Sequence, residues 1–319
     1  MFCQECVSQT LRSRADGEWD GQDGSHLFGV IPNRNSYHFG AEQILHEYSQ
    51  RSLSYQDDIL NACLGILRAA KVRHCCGIPL GMDSLSGAVA MNLQWANNEP
   101  SLRRSGNSLR RSGNRAGFPT WSWTGTFGTK IFSEVMQQPL KHCPVTLAIL
   151  SDEVQTPYQW MQSSISEGDH KSPLGLRITG PIGQPTFLDG QDPWPYIGRS
   201  PFGEGPFMVL QSSEAYTTVF KLRLDLRGET SLSLTGAIAV LLQPGSEVSE
   251  YPRTYAILLI LKQRGAGYER VGITDWSNGW NFKRTMVRGE GNKLSYLWYG
   301  THERPYWIRD LTMQTVYVE

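Results

Sequence analysis

The stretch "SLRRSGNSLRRSGNRAGFPTWSWTGT", Ser101–Thr126, divides the chain into two kinds of sequence. It opens on a tandem copy of one heptad, Ser101–Asn107 and Ser108–Asn114, and closes on an aromatic cluster at Trp121 and Trp123. Upstream, apolar residues recur at helical spacing; downstream, they recur at strand spacing. Trp121-Ser122-Trp123 has the period of a strand, which predicts both indoles on one face and Ser122 on the other. Pro119 and Gly125 frame it as a short, tightly entered strand. Rings of this size need a core or an interface. The structural reading plugs them into the junction between the helical part and the sheet, and the functional one stacks them on a sugar or a base.

Before the divide, Ala41–Gln50 places Ile44, Leu45 and Tyr48 on one helical face. Ser54 stands where an N-cap belongs, with Asp57 three residues on as a weaker capping box. Ile59, Leu60, Cys63, Leu64 and Leu67 then form a broad apolar stripe to about Ala70. Arg51 is placed to pair with Asp57 or Asp58 and hold the two helices in register. Cys76–Pro79 reads as a turn or strand end, because Gly77 and Pro79 both damage a helix interior. Ser84–Trp95 returns to helical spacing through Leu85, Val89 and Leu93.

After the divide, strands are predicted at Val145–Leu150, Leu176–Thr179, Val219–Leu226, Ala237–Leu242, Tyr255–Leu261, Tyr268–Ile273, Leu294–Tyr299 and Leu311–Val318, in addition to Thr120–Trp123. Val219–Leu226 alternates cleanly, with Phe220, Leu222, Leu224 and Leu226 on one face and Lys221, Arg223 and Asp225 on a wet one. Ala256–Leu261 is apolar throughout, the pattern of a central strand covered on both sides. Pro181–Pro206 reads as a long irregular excursion. The expectation is an α+β fold: a helical N-terminal region (1–135) packed against a β-rich, sandwich-like C-terminal region (136–319).

Composition narrows the function. The 319 residues carry 30 Lys plus Arg against 30 Asp plus Glu, so no net charge steers the chain toward nucleic acid or an anionic membrane. The N-terminal MFCQECVSQT lacks the blocks of a signal peptide, and the longest aliphatic run, Ala256–Leu261, is too short to span a bilayer. Six cysteines in a chain of this length fit a reducing compartment better than a disulfide framework. A cytoplasmic location is expected, with neither nucleic acid nor membrane as partner.

Candidate sites are weighed against plainer explanations. Arg103, Arg104, Arg110, Arg111 and Arg115 form a basic loop, with no acid between Glu99 and Glu134. Such a patch can engage phosphates, and Ser105 or Ser112 can accept one. The Ser-Gly-Asn punctuation nevertheless reads as turn, and loop expansion by duplication costs little. Cys3-x-x-Cys6 with His74-Cys75-Cys76 offers a zinc-type set, but one CxxC without a second regular pair is a weak signal. No nucleophile elbow, P-loop or dinucleotide fingerprint is present. No catalytic residue, cofactor or metal site is assigned, and the chain is expected not to be an enzyme.

The order of the pieces carries a resemblance. "YSQRSLSYQDDILNACLGIL" (Tyr48–Leu67), "GIPL" (Gly77–Leu80), a helix ending in Trp95, an arginine pair and "FPTWSWTG" (Phe118–Gly125) together resemble the segment that follows the HET domain in fungal heterokaryon-incompatibility proteins. Tyr48, Arg51, Asp57, Phe118, Pro119, Trp121, Trp123 and Gly125 fall on that pattern. Thr120, Thr124 and Thr126 depart from it, standing where Ser, Ala and a third Trp are usual. "GYERVGI" (Gly267–Ile273) resembles a strand near the end of the same proteins. The HET domain itself is not found in the sequence, so the chain looks like a truncated or free-standing downstream region. The resemblance implies a non-enzymatic regulatory or scaffold role in self/non-self recognition and incompatibility cell death, with another protein or an upstream HET domain as partner. The alternative is a carbohydrate-binding or hydrolytic β-protein with a Trp-lined groove.

Overall fold

A strand with no polar face needs cover on both sides, and Ala256–Leu261 receives it: all six residues are buried. The computed structural model describes residues 45, 48–49, 58–69, 74–79, 93–97, 117–126, 130–132, 144–151, 153–156, 159–160, 173–188, 206–211, 216–225, 234–243, 253–254, 256–288, 294–300 and 306–319. In chain order the elements are α1 (Ile59–Ala69), β1 (His74–Cys75), β2 (Ile78–Pro79), β3 (Trp95–Asn97), β4 (Lys130–Phe132), β5 (Thr146–Leu150), β6 (Val154–Gln155), β7 (Gly175–Gly183), β8 (Thr186–Leu188), β9 (Phe207–Gln211), β10 (Tyr216–Leu224), β11 (Ile238–Gln243), β12 (Arg253–Thr254), β13 (Ile257–Arg264), β14 (Gly267–Arg288), β15 (Leu294–Gly300) and β16 (Thr312–Val318).

The expected α+β sandwich is not what forms. The described residues are mostly β, and five strands close on themselves as a barrel. The ring runs β7-β11-β13-β14-β16 and back to β7. Its pairings are antiparallel except at the seam, where β14 meets β16 in parallel through Tyr268 and Val318. That seam lies between segments whose local patterns are ordinary strands, so nothing in their periodicity announces closure.

Alternation sorts the barrel's side chains into two cores. Ile178 and Ile182 of β7, Ile238, Val240 and Leu242 of β11, Leu259 and Leu261 of β13, and Val316 and Val318 of β16 share one cluster, with Tyr268 of β14 packed against it. Contributions from all five strands place this cluster inside the ring. The opposite faces of β11 and β13, through Ala239, Leu241, Leu258 and Ile260, pack with Met208, Leu210, Phe220 and Leu222. Burying each leucine, isoleucine, phenylalanine or methionine there is worth about 1.5–3 kcal/mol, and the double cover explains the lack of polar positions.

The helical N-terminal region is corrected as well. Among the described residues one short helix, α1, follows the predicted stripe: Ile59, Cys63 and Leu67 are buried at helical spacing and join the barrel's inner cluster. The helix predicted to end in Trp95 is instead, at that end, a strand, because Trp95–Asn97 pairs antiparallel with Lys130–Phe132. A three-residue ladder is too short to print a period. The irregular excursion at Pro181–Pro206 is also partly strand, since β7 continues to Gly183 and β8 follows. Arg51, Asp57, Ser54, Cys3, Cys6, the duplicated heptads and all five arginines of the basic loop lie outside the described residues. Residues on both sides of position 135 share the inner cluster, from Leu45 and Tyr48 to Val318.

Candidate functional site

Pro119–Thr126 folds back on itself instead of extending. The Ser122 amide bonds the Pro119 carbonyl at 3.1 Å and the Gly125 amide bonds the Ser122 carbonyl at 2.9 Å. Trp123–Gly125 is one turn of 3-10 helix, capped by Ser122 Oγ, which accepts from the Thr124 amide at 3.2 Å. Gly125 permits this closure: a Cβ there would sit 2.1 Å from the Pro119 carbonyl oxygen. The predicted strand with Ser122 on an opposite, free face is therefore overturned. Trp121, Ser122 and Trp123 are all buried, at 1%, 0% and 0% exposure.

The segment joins three parts of the molecule. Toward β1 and β2, the Trp123 indole donates to the Gly77 carbonyl at 2.8 Å, and Ser122 Oγ and Thr124 Oγ1 both donate to the Cys76 carbonyl, at 2.5 and 3.2 Å. Gly77, at φ +84°, lies so close that a Cβ would come within 2.9 Å of the Trp123 indole nitrogen. Toward the barrel, the Thr120 amide and hydroxyl both donate to the Glu319 carbonyl, and Thr120 Oγ1 accepts from the Arg270 amide at 3.1 Å. Toward β3, the Trp95 indole donates to the Trp121 carbonyl at 3.2 Å.

Arg270 is the centre of this arrangement. Its guanidinium is fully buried, donates to Asp225 Oδ2 at 2.8 Å and to the Leu93 carbonyl at 2.6 Å, and also bonds the Trp95 carbonyl. It stacks over the Trp95 ring, 3.4 Å from the centroid. Lys130 Nζ approaches the same indole at 5.0 Å and donates to Thr126 Oγ1 at 2.6 Å. Burial lowers the Arg270 pKa and the Asp225 carboxylate opposes that shift. An arginine starting so high keeps its charge. Alternation within Val219–Leu226 predicts Asp225 on a wet face; in the structure it is 3% exposed because its partner, Arg270, lies on β14.

The predicted positions distribute as follows. Tyr48 is buried in the inner cluster, Phe118 packs against it from the edge, and Pro119 and Gly125 close the turn. Arg270, Asp225, Lys130, Thr120 and Gly77 are not among the candidate site residues that the sequence offers. One signal in the sequence bears on Arg270: it lies within GYERVGI (Gly267–Ile273), the stretch that resembles a strand near the end of HET-type proteins.

Chemically the arrangement holds segments together. The hydroxyls of Thr120, Ser122 and Thr124 donate to backbone carbonyls, that of Thr126 accepts from Lys130, and the Arg270 guanidinium is matched by the Asp225 carboxylate. Burial pushes the Cys63 thiol up to about 12, far from a nucleophilic thiolate at neutral pH. Among the described residues, no three His, Cys, Asp or Glu side chains gather as a metal-binding group. A recess of about 370 Å³ lies elsewhere, where Ile182 and Leu210 meet Asp310 and Gln314, and Asp310 is its single carboxylate. No helix among the described residues is long and apolar enough to cross a membrane. Comparison of the chain with protein-family models, with curated proteins and with solved structures finds no match.

Proposed function

We propose that this chain is the non-enzymatic regulatory or scaffold portion of a HET-type fungal protein, acting in the cytoplasm in heterokaryon incompatibility. The observation that carries this reading is the burial of the motif's own residues. Trp121, Ser122, Trp123 and Thr124 hold elements together, which is the work of a scaffold. The resemblance of Tyr48–Leu67 and Phe118–Gly125 to the segment after a HET domain supplies the biological setting, and a HET domain or another protein is the partner.

The carbohydrate reading is less well supported. Trp95, Trp121, Trp123 and Trp160, the tryptophans whose side chains are described, are each at most 8% exposed. A glycoside-hydrolysing site uses two carboxylates, and the recess carries one.

Expression in a filamentous fungus, alone and fused behind a death-inducing HET domain, tests the proposal. The chain alone leaves growth unchanged, and the fusion alters the lethality of the HET domain. Trp123→Ala, which removes about 3–5 kcal/mol of packing, abolishes that modulation. Growth arrest by the chain alone, or hydrolysis of a glycan panel by the purified protein, overturns it.

A further inference from the structure

Cys75 and Cys76 are consecutive, and the hairpin presents them unequally. Cys75 ends β1 and is 2% exposed; Cys76 is half-buried at the first position of the two-residue turn. Cys76 takes φ +49° and Gly77 φ +84°, so both turn residues are left-handed, as a tight hairpin of this twist demands. Ser122 and Thr124 both clamp the Cys76 carbonyl, which fixes the backbone that carries the two thiols. The thiols sense one another: burial first, and then the neighbouring Cys76 thiol, push Cys75 well above its ordinary range.

The number of the thiols and their adjacency in the chain select what they can hold. Structural zinc asks for about four ligands, whereas this corner has two thiols, and His74 Nδ1 accepts from the Gly77 amide at 3.3 Å. A direct disulfide is also a poor fit. Consecutive α-carbons stand about 3.8 Å apart, short of the roughly 4.4–6.8 Å that disulfides span. Bridging through one larger atom relieves that constraint.

We propose that Cys75 and Cys76 form a vicinal-dithiol site that captures a trivalent arsenical, with Cys76 as the entry thiol and Cys75 closing the ring. Two S–H bonds break and two S–As bonds form, while the oxygen of the arsenous group leaves as water with both protons. Arsenic stays trivalent and no electron is transferred. The bridge sits beside the carbonyl that Ser122 and Thr124 hold, so occupancy bears directly on the motif.

Phenylarsine oxide is the probe, applied to the full chain carrying Cys3→Ser and Cys6→Ser so that the other closely spaced pair is removed. Intact-mass spectrometry is expected to show one phenylarsenic group per chain, retained in excess monothiol and released by ethanedithiol. Cys76→Ser in that background, shown by circular dichroism to remain folded, loses the retention, whereas Cys143→Ser keeps it. Absence of retained arsenic on the folded protein overturns the proposal. So does retention unchanged by Cys76→Ser, or uptake that begins only after unfolding in urea.

Discussion

The barrel and the segment that braces it bury their residues by opposite means. Inside the ring, Val240, Leu242, Leu259 and Val318 meet with no polar atom on any side chain, and the contact is non-directional. Around Arg270, a guanidinium, a carboxylate, three hydroxyls and two indole nitrogens each have a defined partner. An aliphatic core tolerates reshaping at modest cost. A buried polar network does not, since removing one member leaves its partner unsatisfied in a low dielectric. The first kind of burial supplies bulk stability, and the second decides which segments lie beside one another.

Mutations sharpen the contrast. The largest effect is expected at Asp225→Ala, which strands the fully buried Arg270 charge and costs about 3–5 kcal/mol; urea unfolding reads it, and a change no larger than the roughly ±0.5 kcal/mol of ordinary surface substitutions breaks the account. Gly77→Ala follows. It forces a Cβ toward the Trp123 indole nitrogen at 2.9 Å and holds alanine at φ +84°, a left-handed conformation that costs roughly 1–2 kcal/mol before any clash is added. The same melts, run beside Gly236→Ala, separate the two terms. Gly236 has a similar φ of +78° but no neighbour within 4 Å, so Gly77→Ala must be the more damaging of the pair.

Ile260→Val, in the outer aliphatic core, is expected to cost only about 0.5–1.5 kcal/mol. Its melting curve should keep the wild-type slope, because packing is trimmed without any partner being orphaned. Deleting Ser108–Asn114 should do least. The heptad carries turn residues and arginines with no large apolar anchor but Leu109, and shortening a loop changes closure entropy by only about 0.6 kcal/mol per halving. A thermal melt of the deletion protein decides the matter, and a fall as large as that of Asp225→Ala would show the arginines to be structural.

Local chemistry made some of this molecule legible in advance. The apolar run Ala256–Leu261 announced a doubly covered strand because its own residues carry the whole signal. The stripe Ile59, Cys63, Leu67 announced α1 for the same reason. The Trp121–Trp123 pair reads as core from ring size alone, yet it forms a turn where its period predicts a strand, because Pro119 and Gly125 let the chain approach itself. Ser122, which the strand reading turns toward a free face, is a cap and a donor to Cys76. Asp225 looked solvated because its partner is 45 residues away on β14, and alternation within one strand says nothing about the next. Barrel closure was invisible for a related reason. It rests on the parallel seam between Tyr268 and Val318, a pairing that no local pattern encodes.

The account's central claim is that the Pro119–Thr126 turn and the barrel are one cooperative unit, locked through Thr120, Glu319 and Arg270. Native-state hydrogen exchange read by mass spectrometry tests it most directly, because locally opening segments exchange faster than those released only by global unfolding. The bonded amides of Thr120, Ser122, Gly125 and Arg270 are predicted to exchange together with those of Leu258–Leu261, at the rate of global unfolding. If the Thr120–Gly125 amides exchange in a separate, faster phase while Leu258–Leu261 stays protected, the turn is an independent appendage and the claim is wrong.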